Sequence, residues 1–213
     1  MSTKDTKRHE IQKLLLVFTL FMFCTISLAK ELDGKGLAKT YCAGCHGETG
    51  NSEQDKQGVV PKIAGFSAIL LFDSLDQFKH KDRQSLPYRL KDKPETTMNK
   101  VAEKITEGES EAIAQYFSKQ TFAVKKLEKL SQKESQGKQL HIDLCDDCHG
   151  KLGSSSEDDA PLLLGQKKKY LQRQFDALSE YKRYMPRRMK RKFRKLSTED
   201  KQALIEFYTI KTD

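Results

Sequence analysis

The chain has 213 residues, which is enough for one ordinary domain or two small ones. Apolar residues make up 37% of it and charged residues 32%, and it contains no Trp. This composition excludes collagen-like, fully disordered and multi-span membrane proteins. Its five Cys are few for a disulfide scaffold of this size, so their positions carry more information than their number.

Positive charge is concentrated in the second half of the chain. The formal net charge is +9, yet residues 30–119 carry 14 basic and 14 acidic side chains. Residues 120–213 carry 21 basic and 14 acidic side chains and so account for most of the excess. An asymmetry of this kind usually reflects a surface that meets a partner.

Residues 1–29 have the layout of a secretory signal peptide. A segment with four basic side chains, ending at Lys13, precedes an uncharged and mostly apolar stretch over residues 14–28. Ser27 and Ala29 place small residues before a cleavage point that follows Ala29. The stretch is short for a membrane span, and an uncleaved N-terminal anchor is the alternative. We therefore expect a periplasmic protein.

The four Cys outside the signal form one motif used twice. Cys42, Cys45 and His46 make up the first C-x-x-C-H, and the second consists of Cys145, Cys148 and His149. This motif is the attachment signature of c-type haem. Two thiols one helical turn apart can form thioethers to the two vinyl groups on one haem edge, and the His that follows can bind the iron. The sequence therefore predicts two covalently bound haem c groups.

Other uses of these Cys are open at this stage. Four Cys can bind zinc, but zinc ribbons place their pairs tens of residues apart and need no His after each pair. A thioredoxin-like redox pair explains one C-x-x-C, but not two copies that are each followed by His. A disulfide within each pair is the simplest alternative.

The sequence around the two motifs is an internal repeat. Pro and Gly recur four residues apart after each motif, and apolar residues with helical periodicity follow each Gly. The matched positions are Gly34 and Gly137, Leu37 and Leu140, Tyr41 and Leu144, Pro61 and Pro161, Gly65 and Gly165, and Arg83 and Arg183. Such a repeat predicts two domains of the same design.

Each half ends in a further predicted helix. Thr106 to Glu109 and Ser197 to Asp200 have the pattern of a capping box. We find no alternating strand pattern, and the Lys-rich residues 120–134 have the character of a linker that is partly helical. The prediction is an all-α protein with two tandem small domains, over residues 30–119 and 135–213.

Methionines occur where a second axial ligand is needed. Met98 lies seven residues before Ile105, and Met189 lies seven residues before Leu196, so both precede the capping boxes at the same distance. A thioether ligand opposite His raises the reduction potential of a haem. We predict Met98 and Met189 as axial ligands, with Met185 as the alternative to Met189.

Four further residues are candidates for contacts around the haems. The backbone carbonyls of Pro61 and Pro161 are candidates to accept the Nδ1–H of the axial His, although Pro also simply forms turns. Arg83 and Arg183 are candidates to pair with haem propionates, although both also fit an exposed surface. His80 and His141 have no counterpart in the repeat, and we expect each on a surface or a helix face rather than as a ligand.

A basic face follows the second Met region. Seven of the eleven residues from Met185 to Lys195 are Lys or Arg. Nucleic acid is excluded as a partner by export and haem attachment. A positive rim beside a redox centre attracts an acidic redox partner, and it also favours an anionic membrane surface. A solvated charged face without a partner is the alternative.

Together these motifs resemble a di-haem class I cytochrome c of the cytochrome c4 type, across residues 30–211. The second half also resembles the cytochrome subunit of flavocytochrome c sulfide dehydrogenase. The stretches that carry this likeness are 144–149, 158–160 with 164–166, and 185–189, while Ile63-Ala64-Gly65 fits either family. The chain departs from the pattern between Arg83 and Met98, which are 15 residues apart, whereas Arg183 and Met189 are 6 apart.

The resemblance implies an electron-transfer protein with two haems close together. It implies as partner an FAD-containing subunit that oxidises sulfide and passes electrons to the haems. A free shuttle to a terminal oxidase is the alternative, and whether the chain belongs to an enzyme is open. Two other classes compete: a di-haem peroxidase, which needs an open iron, and a zinc-stabilised interaction module.

Overall fold

The structure is a computed structural model that describes residues 32–90, 94–124, 130–157 and 159–209. The predicted signal peptide, its cleavage point and Cys24 lie outside these residues, as do Asp158 and part of the predicted linker. The described residues from Asp33 onward form one compact unit.

The described part of the chain is helical, as predicted, and its only β feature is an isolated antiparallel bridge between Tyr88 and Thr96. The first half contains α1 Gly34–Tyr41, α2 Ala43–His46, α3 Ala68–Lys79, α4 Met98–Ala102 and α5 Glu107–Ser118. The second half contains α6 Gln132–Leu144, α7 Gly150–Gly153, α8 Lys168–Ser179, α9 Arg187–Phe193 and α10 Thr198–Tyr208. None of the described helices is long and apolar enough to cross a membrane.

The first and last helices of each half cross at a glycine. A Cβ added to Gly34 would lie 2.3 Å from the carbonyl oxygen of Ala112 on α5. A Cβ added to Gly137 would lie 2.1 Å from the carbonyl oxygen of Ala203 on α10. Both distances are far below any tolerated contact, so the backbones can approach this closely only because these positions lack a side chain. The repeated Gly therefore sets the same helix crossing twice.

Among the described helices, three start with a capping box. Thr106 with Glu109 and Ser197 with Asp200 form the two predicted boxes, at the start of α5 and α10. A third box, formed by Ser131 and Glu134, starts α6 inside the segment predicted as a linker. In each box a hydroxyl accepts from the third backbone N–H while the carboxylate accepts from the cap's own N–H.

The buried side chains form two apolar clusters. The first brings together Phe66, residues of α3 and residues of α5, with Phe117 only 1% exposed. The second brings together residues of α8, α9 and α10, with Phe207 and Tyr208 essentially buried. Leu162, from the second half, is part of the first cluster, so the two halves share apolar contacts as well as polar ones.

Hydrogen bonds around one buried amide join the halves. The Gln166 side chain accepts from the backbone N–H of Lys62 at 2.9 Å and donates to the Lys62 carbonyl at 3.0 Å. Nearby, the N–H of Tyr170 donates to the Gly58 carbonyl, and Lys167 Nζ donates to the Ser52 carbonyl. Because Gln166 is only 4% exposed, these bonds are protected from competition with water.

The internal repeat is also present in the backbone hydrogen bonds. Ile63 and Ala64 both donate to the carbonyl of Gly50, and Leu163 and Leu164 both donate to that of Gly153. In the same way, the N–H groups of Gly65 and Gly165 donate to carbonyls at the ends of α5 and α10, those of Phe117 and Tyr208. The loop after each C-x-x-C-H motif is therefore held to its own half by the same bonds.

Candidate haem sites

The first motif forms a single helical turn that starts at Cys42. The N–H groups of Cys45 and His46 donate to the Cys42 carbonyl at 3.1 and 2.9 Å, and α1 ends immediately before this turn. Cys42 is buried and Cys45 is partly exposed, and neither is joined in a disulfide. The turn brings two thiols and an imidazole together at one place in the fold.

His46 is held by the loop that contains Pro61. Its side chain is buried, at 6% exposure, and Nδ1 donates to the Pro61 carbonyl at 3.0 Å. Burial lowers the pKa of His46, against the opposing effects of the Pro61 carbonyl and Asp55. The ring is therefore neutral at physiological pH and carries its remaining lone pair on Nε2. A neutral imidazole oriented through Nδ1 is the form that binds iron.

The second motif repeats this geometry. The N–H groups of Cys148 and His149 donate to the Cys145 carbonyl at 3.2 and 2.9 Å. His149 Nδ1 donates to the Pro161 carbonyl at 3.1 Å, and burial lowers the pKa of His149. The second motif is more open than the first, since Cys145 is partly exposed and Cys148 is exposed.

The two predicted Met ligands lie in short helices that end at the same distance after them. Met98 is the first residue of α4 and packs against the first apolar cluster. Met189 lies within α9 and packs against the second cluster, while Met185, 7% exposed, lies just before that helix. The last helical residues, Ala102 and Phe193, each lie four residues after the predicted ligand. This common register favours Met189 over Met185 as the counterpart of Met98.

The two arginines meet at the junction between the halves. Arg83 donates to the Tyr170 hydroxyl at 3.3 Å and to Gln174 Oε1 at 3.2 Å, and Arg183 donates to the same Gln174 oxygen at 2.7 Å. Burial, and then the charge of Arg83, lower the pKa of Arg183 to about 10. No carboxylate of the described residues forms an ion pair with either guanidinium. Two neighbouring cations without an anion are suited to a group that brings carboxylates.

The burial of His141 differs from what its sequence context predicts. This residue was expected on a surface or a helix face, and it does lie on α6, but it is fully buried. Burial lowers the pKa of His141, so the ring is neutral. Nε2 donates to Asp146 Oδ1 at 3.1 Å, and Nδ1 accepts from the Tyr208 hydroxyl at 2.7 Å. His80, by contrast, is exposed and bonded to Asp76 on its own helix.

No single signal in the sequence identifies this network. His141 corresponds to Ala38 in the repeat, and Tyr208 corresponds to Phe117. A comparison of the halves does offer a clue. Two apolar residues of the first half are replaced by polar ones at facing positions of the first and last helices of the second half. Asp146, inside the second motif, completes the network and also accepts from the Leu152 N–H.

The donor set fits a c-type haem in each half. Each motif presents two thiols outside any disulfide and a neutral imidazole whose Nδ1 is already bonded to a carbonyl. The arginine pair would bind the carboxylates of such a group. Among the described residues, no cluster of three or more His, Cys, Asp or Glu side chains could hold a metal ion.

The sequence model of the cytochrome c family matches residues 32–121. No curated protein matches the chain. Among solved structures, reduced recombinant cytochrome c4 from Pseudomonas stutzeri is similar with 26% identity and a TM-score of 0.65, over 83% of this chain and 95% of that one.

Two further structures share the fold. Cytochrome c4 from Acidithiobacillus ferrooxidans is 20% identical, with a TM-score of 0.62, over 80% of this chain and 98% of that one. The thiosulfate dehydrogenase from Marichromatium purpuratum is 21% identical, with a TM-score of 0.63, and the match covers 83% of this chain but 39% of that one. Residues 32–121 therefore match the cytochrome c family, and the two halves of the chain together have the tandem cytochrome c fold.

Proposed function

We propose that this chain is a periplasmic electron-transfer protein that carries two covalent haem c groups, one in each half. Cys42 and Cys45 attach the first haem, and Cys145 and Cys148 attach the second. The axial ligands are His46 with Met98, and His149 with Met189. The observation that carries the proposal is the repeated bond from each motif His to a Pro carbonyl, which presents a neutral imidazole in both halves.

When bound, a c-type haem with His and Met ligands supplies a one-electron couple at a raised potential. The residues of this chain would hold and orient the haems that carry this couple. Pro61 and Pro161 orient the two imidazoles through Nδ1. Two sulfur ligands in the expected register leave no iron position for a substrate, which speaks against a peroxidase.

Arg83 and Arg183 bind the haem carboxylates in this proposal. The two guanidinium groups share Gln174 as an acceptor and have no acidic partner among the described residues. A charge-assisted bond from each to a carboxylate would offset the repulsion between them. Because Arg83 belongs to the first half and its acceptors to the second, the carboxylates would also stabilise the junction.

For the partner, we propose an enzyme that oxidises a reduced sulfur compound, in the first instance an FAD-containing sulfide dehydrogenase subunit. The likeness of residues 144–149 and 185–189 to a flavocytochrome subunit supports this choice. The shared fold with a thiosulfate dehydrogenase agrees with a sulfur-oxidising context, although that match concerns the fold alone. The alternative is a shuttle to a terminal oxidase, and co-purification with either partner distinguishes them.

The decisive experiment combines the mass and the spectra of the exported protein. We expect two haems per chain and low-spin spectra with Met ligation in both oxidation states. Met98→Ala and Met189→Ala each abolish Met ligation of one haem, whereas the control Met185→Ala retains both. Zinc without porphyrin would instead establish the zinc-stabilised module, and high-spin iron in the unaltered protein would favour the peroxidase.

A further inference from the structure

The two C-x-x-C-H motifs differ in how much of them reaches the surface. In the first, Cys42 is buried and Cys45 is partly exposed, whereas in the second, Cys145 is partly exposed and Cys148 is exposed. Since both turns make the same two hydrogen bonds to the carbonyl of their first Cys, we attribute the difference to what lies over them. It determines where another protein can come closest to the group that the thiols hold.

A loop without a counterpart in the second half lies against the first motif. We call the described residues 84–90 and 94–97 the cover loop. The Tyr88 hydroxyl donates to the buried Asp55 at 3.2 Å, and a Cβ added to Gly44 would lie 3.4 Å from Leu90 Cδ1. Gly44 is inside the motif itself, so Leu90 packs directly on the turn that carries the two thiols.

Hydrogen bonds fix the base and the start of the cover loop. Tyr88 and Thr96 exchange backbone bonds of 2.8 and 2.9 Å across its base. Ser85 is fixed at its start, where its N–H donates to Asn99 Oδ1 and its hydroxyl accepts from the Met98 N–H. These bonds therefore hold the cover loop in place over the first motif.

Among the described residues, the second motif has no such loop, and the basic helix α9 lies beside it instead. Lys192 of α9 forms an ion pair with Asp147, which lies between the two Cys, and Arg188 is close enough to help lower the pKa of that carboxyl. Six other basic side chains of this segment are exposed and form no ion pair with described residues: Arg187, Arg188, Lys190, Arg191, Arg194 and Lys195. We call these six residues, together with Tyr181 and Tyr184, the α9 face.

The acidic groups beside this face are too few to neutralise it. Asp147 is paired with Lys192, and Asp146 is committed to His141 and to the Leu152 N–H. Asp143 is exposed and accepts from Gln139 on its own helix. Positive charge from Lys192 and Arg188 therefore lies beside the motif that contains the exposed Cys148.

The composition of the α9 face favours a protein over a lipid surface. Tyr184 is 73% exposed and Tyr181 is 61% exposed, with Lys190 Nζ lying 4.7 Å from the centre of the Tyr181 ring. Exposed Tyr and Arg are typical of protein interfaces. A helix that inserts into a membrane surface needs exposed Leu or Phe, whereas Phe193 of α9 is buried in the core.

We propose that the α9 face around Cys148 is the docking site for an acidic protein surface, and that the cover loop excludes the first motif from this role. The inference rests on the proposed function, because a docking site beside Cys148 matters only if that Cys holds the haem. It adds a direction to that function, since electrons then enter or leave the molecule through the second half. Complementary charge steers such an encounter, and the contact is therefore sensitive to salt.

The test uses the haem-loaded chain and a synthetic oligoglutamate peptide as the acidic probe. Binding is measured at low and high salt, and carbodiimide cross-links between peptide carboxylates and Lys are mapped by mass spectrometry. We expect cross-links at Lys190 and Lys195 and none at Lys56, which is exposed beside the first motif.

Two triple variants that each remove three positive charges distinguish binding at a specific site from an effect of net charge alone. Arg188→Gln, Arg191→Gln and Lys195→Gln together weaken peptide binding roughly tenfold at low salt. The control, Lys39→Gln with Lys104→Gln and Lys119→Gln, removes the same charge from exposed positions of the first half and changes binding less than about twofold. Equal weakening by both variants, or cross-links at Lys56, would overturn the docking site.

Two further readouts keep the outcomes distinct. Vesicles with anionic lipids are offered to the unaltered chain, and binding to them that is stronger than to the peptide would assign the α9 face to a membrane and overturn the proposal. Haem content and spectra are recorded first on every sample. A chain without haem overturns the proposed function and the docking site together, whereas a di-haem chain that fails the peptide test overturns the docking site alone.

Discussion

The two halves share the same backbone arrangement but differ in the side chains at the facing positions of their first and last helices. Where α1 meets α5, the facing positions hold Ala38 and Phe117, and where α6 meets α10 they hold His141 and Tyr208. The glycine crossing and the loop hydrogen bonds are unchanged between them. The helix crossing therefore depends on backbone contacts rather than on the side chains next to it. Those side chains can be either apolar, as in the first half, or polar, as in the second.

The largest effect is expected where the halves are most alike. Gly34→Ala and Gly137→Ala each force a Cβ into a carbonyl oxygen of the opposite helix. Each should lower the free energy of unfolding by about 3 kcal/mol, the upper range for overpacking. Thermal and denaturant unfolding of the haem-loaded protein measures this.

The matched control for the glycines is Gly108→Ala, at an exposed position in α5. It should be neutral or stabilise by up to about 1 kcal/mol, because Ala is the better helix former. If one crossing glycine tolerates Ala as well as Gly108 does, the two crossings are not equivalent.

The next effect distinguishes the halves. Tyr208→Phe makes the second half resemble the first at this position, but it leaves His141 Nδ1 buried without a donor. We expect a loss of about 2 kcal/mol in the free energy of unfolding, the cost of an unsatisfied buried polar atom. Unfolding in urea, followed by circular dichroism, checks the value.

Tyr116→Phe, one position before the counterpart of Tyr208 on the last helix of the first half, is the control. Its hydroxyl donates to the Glu48 carbonyl at an exposed position, where water replaces the lost bond. We expect a change below about 0.5 kcal/mol. Equal losses from the two Tyr variants would show that the buried network adds nothing to the second half.

A smaller effect concerns the contact between the halves. Gln166→Ala removes both bonds to the backbone of Lys62 and should cost about 1.5 kcal/mol. Because Gln166 joins the halves, we also expect the single unfolding transition to broaden. A calorimetric trace that keeps its shape would mean that the apolar contacts of Leu162 are sufficient to couple them.

The smallest effect should again be the same in both halves. Thr106→Ala and Ser197→Ala each remove the hydroxyl of a capping box and should cost about 1 kcal/mol. Bonds from Thr106 lower the pKa of Glu109 in the folded state. That contribution is present above the ordinary pKa of Glu and is lost as the pH falls through the lowered value. Unfolding curves at neutral and acidic pH check both statements, since Thr106→Ala should reduce the loss on acidification.

The parts of the fold that were predicted from the sequence depend on local signals. Helical periodicity, the capping boxes at Thr106 and Ser197, and the repeated Gly each act within a few residues, so they can be recognised without the tertiary structure. The helix start at Ser131 was missed because the Lys-rich segment before it suggested a linker, although its Ser and Glu have the spacing of a capping box.

The parts that were not predicted depend on residues far apart in the chain. Burial of His141 requires Tyr208 from the other end of the domain, and the role of Gln166 requires a backbone segment more than a hundred residues earlier. The cover loop was noticed as an extra length between Arg83 and Met98, but its position over Gly44 depends on contacts with Asp55 that no local pattern encodes. The haem ligands stay a prediction that rests on the motifs and their register.

The amide pair of Gln166 and Lys62 has a mechanical consequence. Lys62 directly follows Pro61, whose carbonyl holds His46, and Gln166 lies in the short loop that begins at Pro161, whose carbonyl holds His149. Two short backbone segments and one side chain thus connect the carbonyl that supports one imidazole to the carbonyl that supports the other. The supports of the two rings are therefore linked through the polypeptide itself, without any contact between the rings.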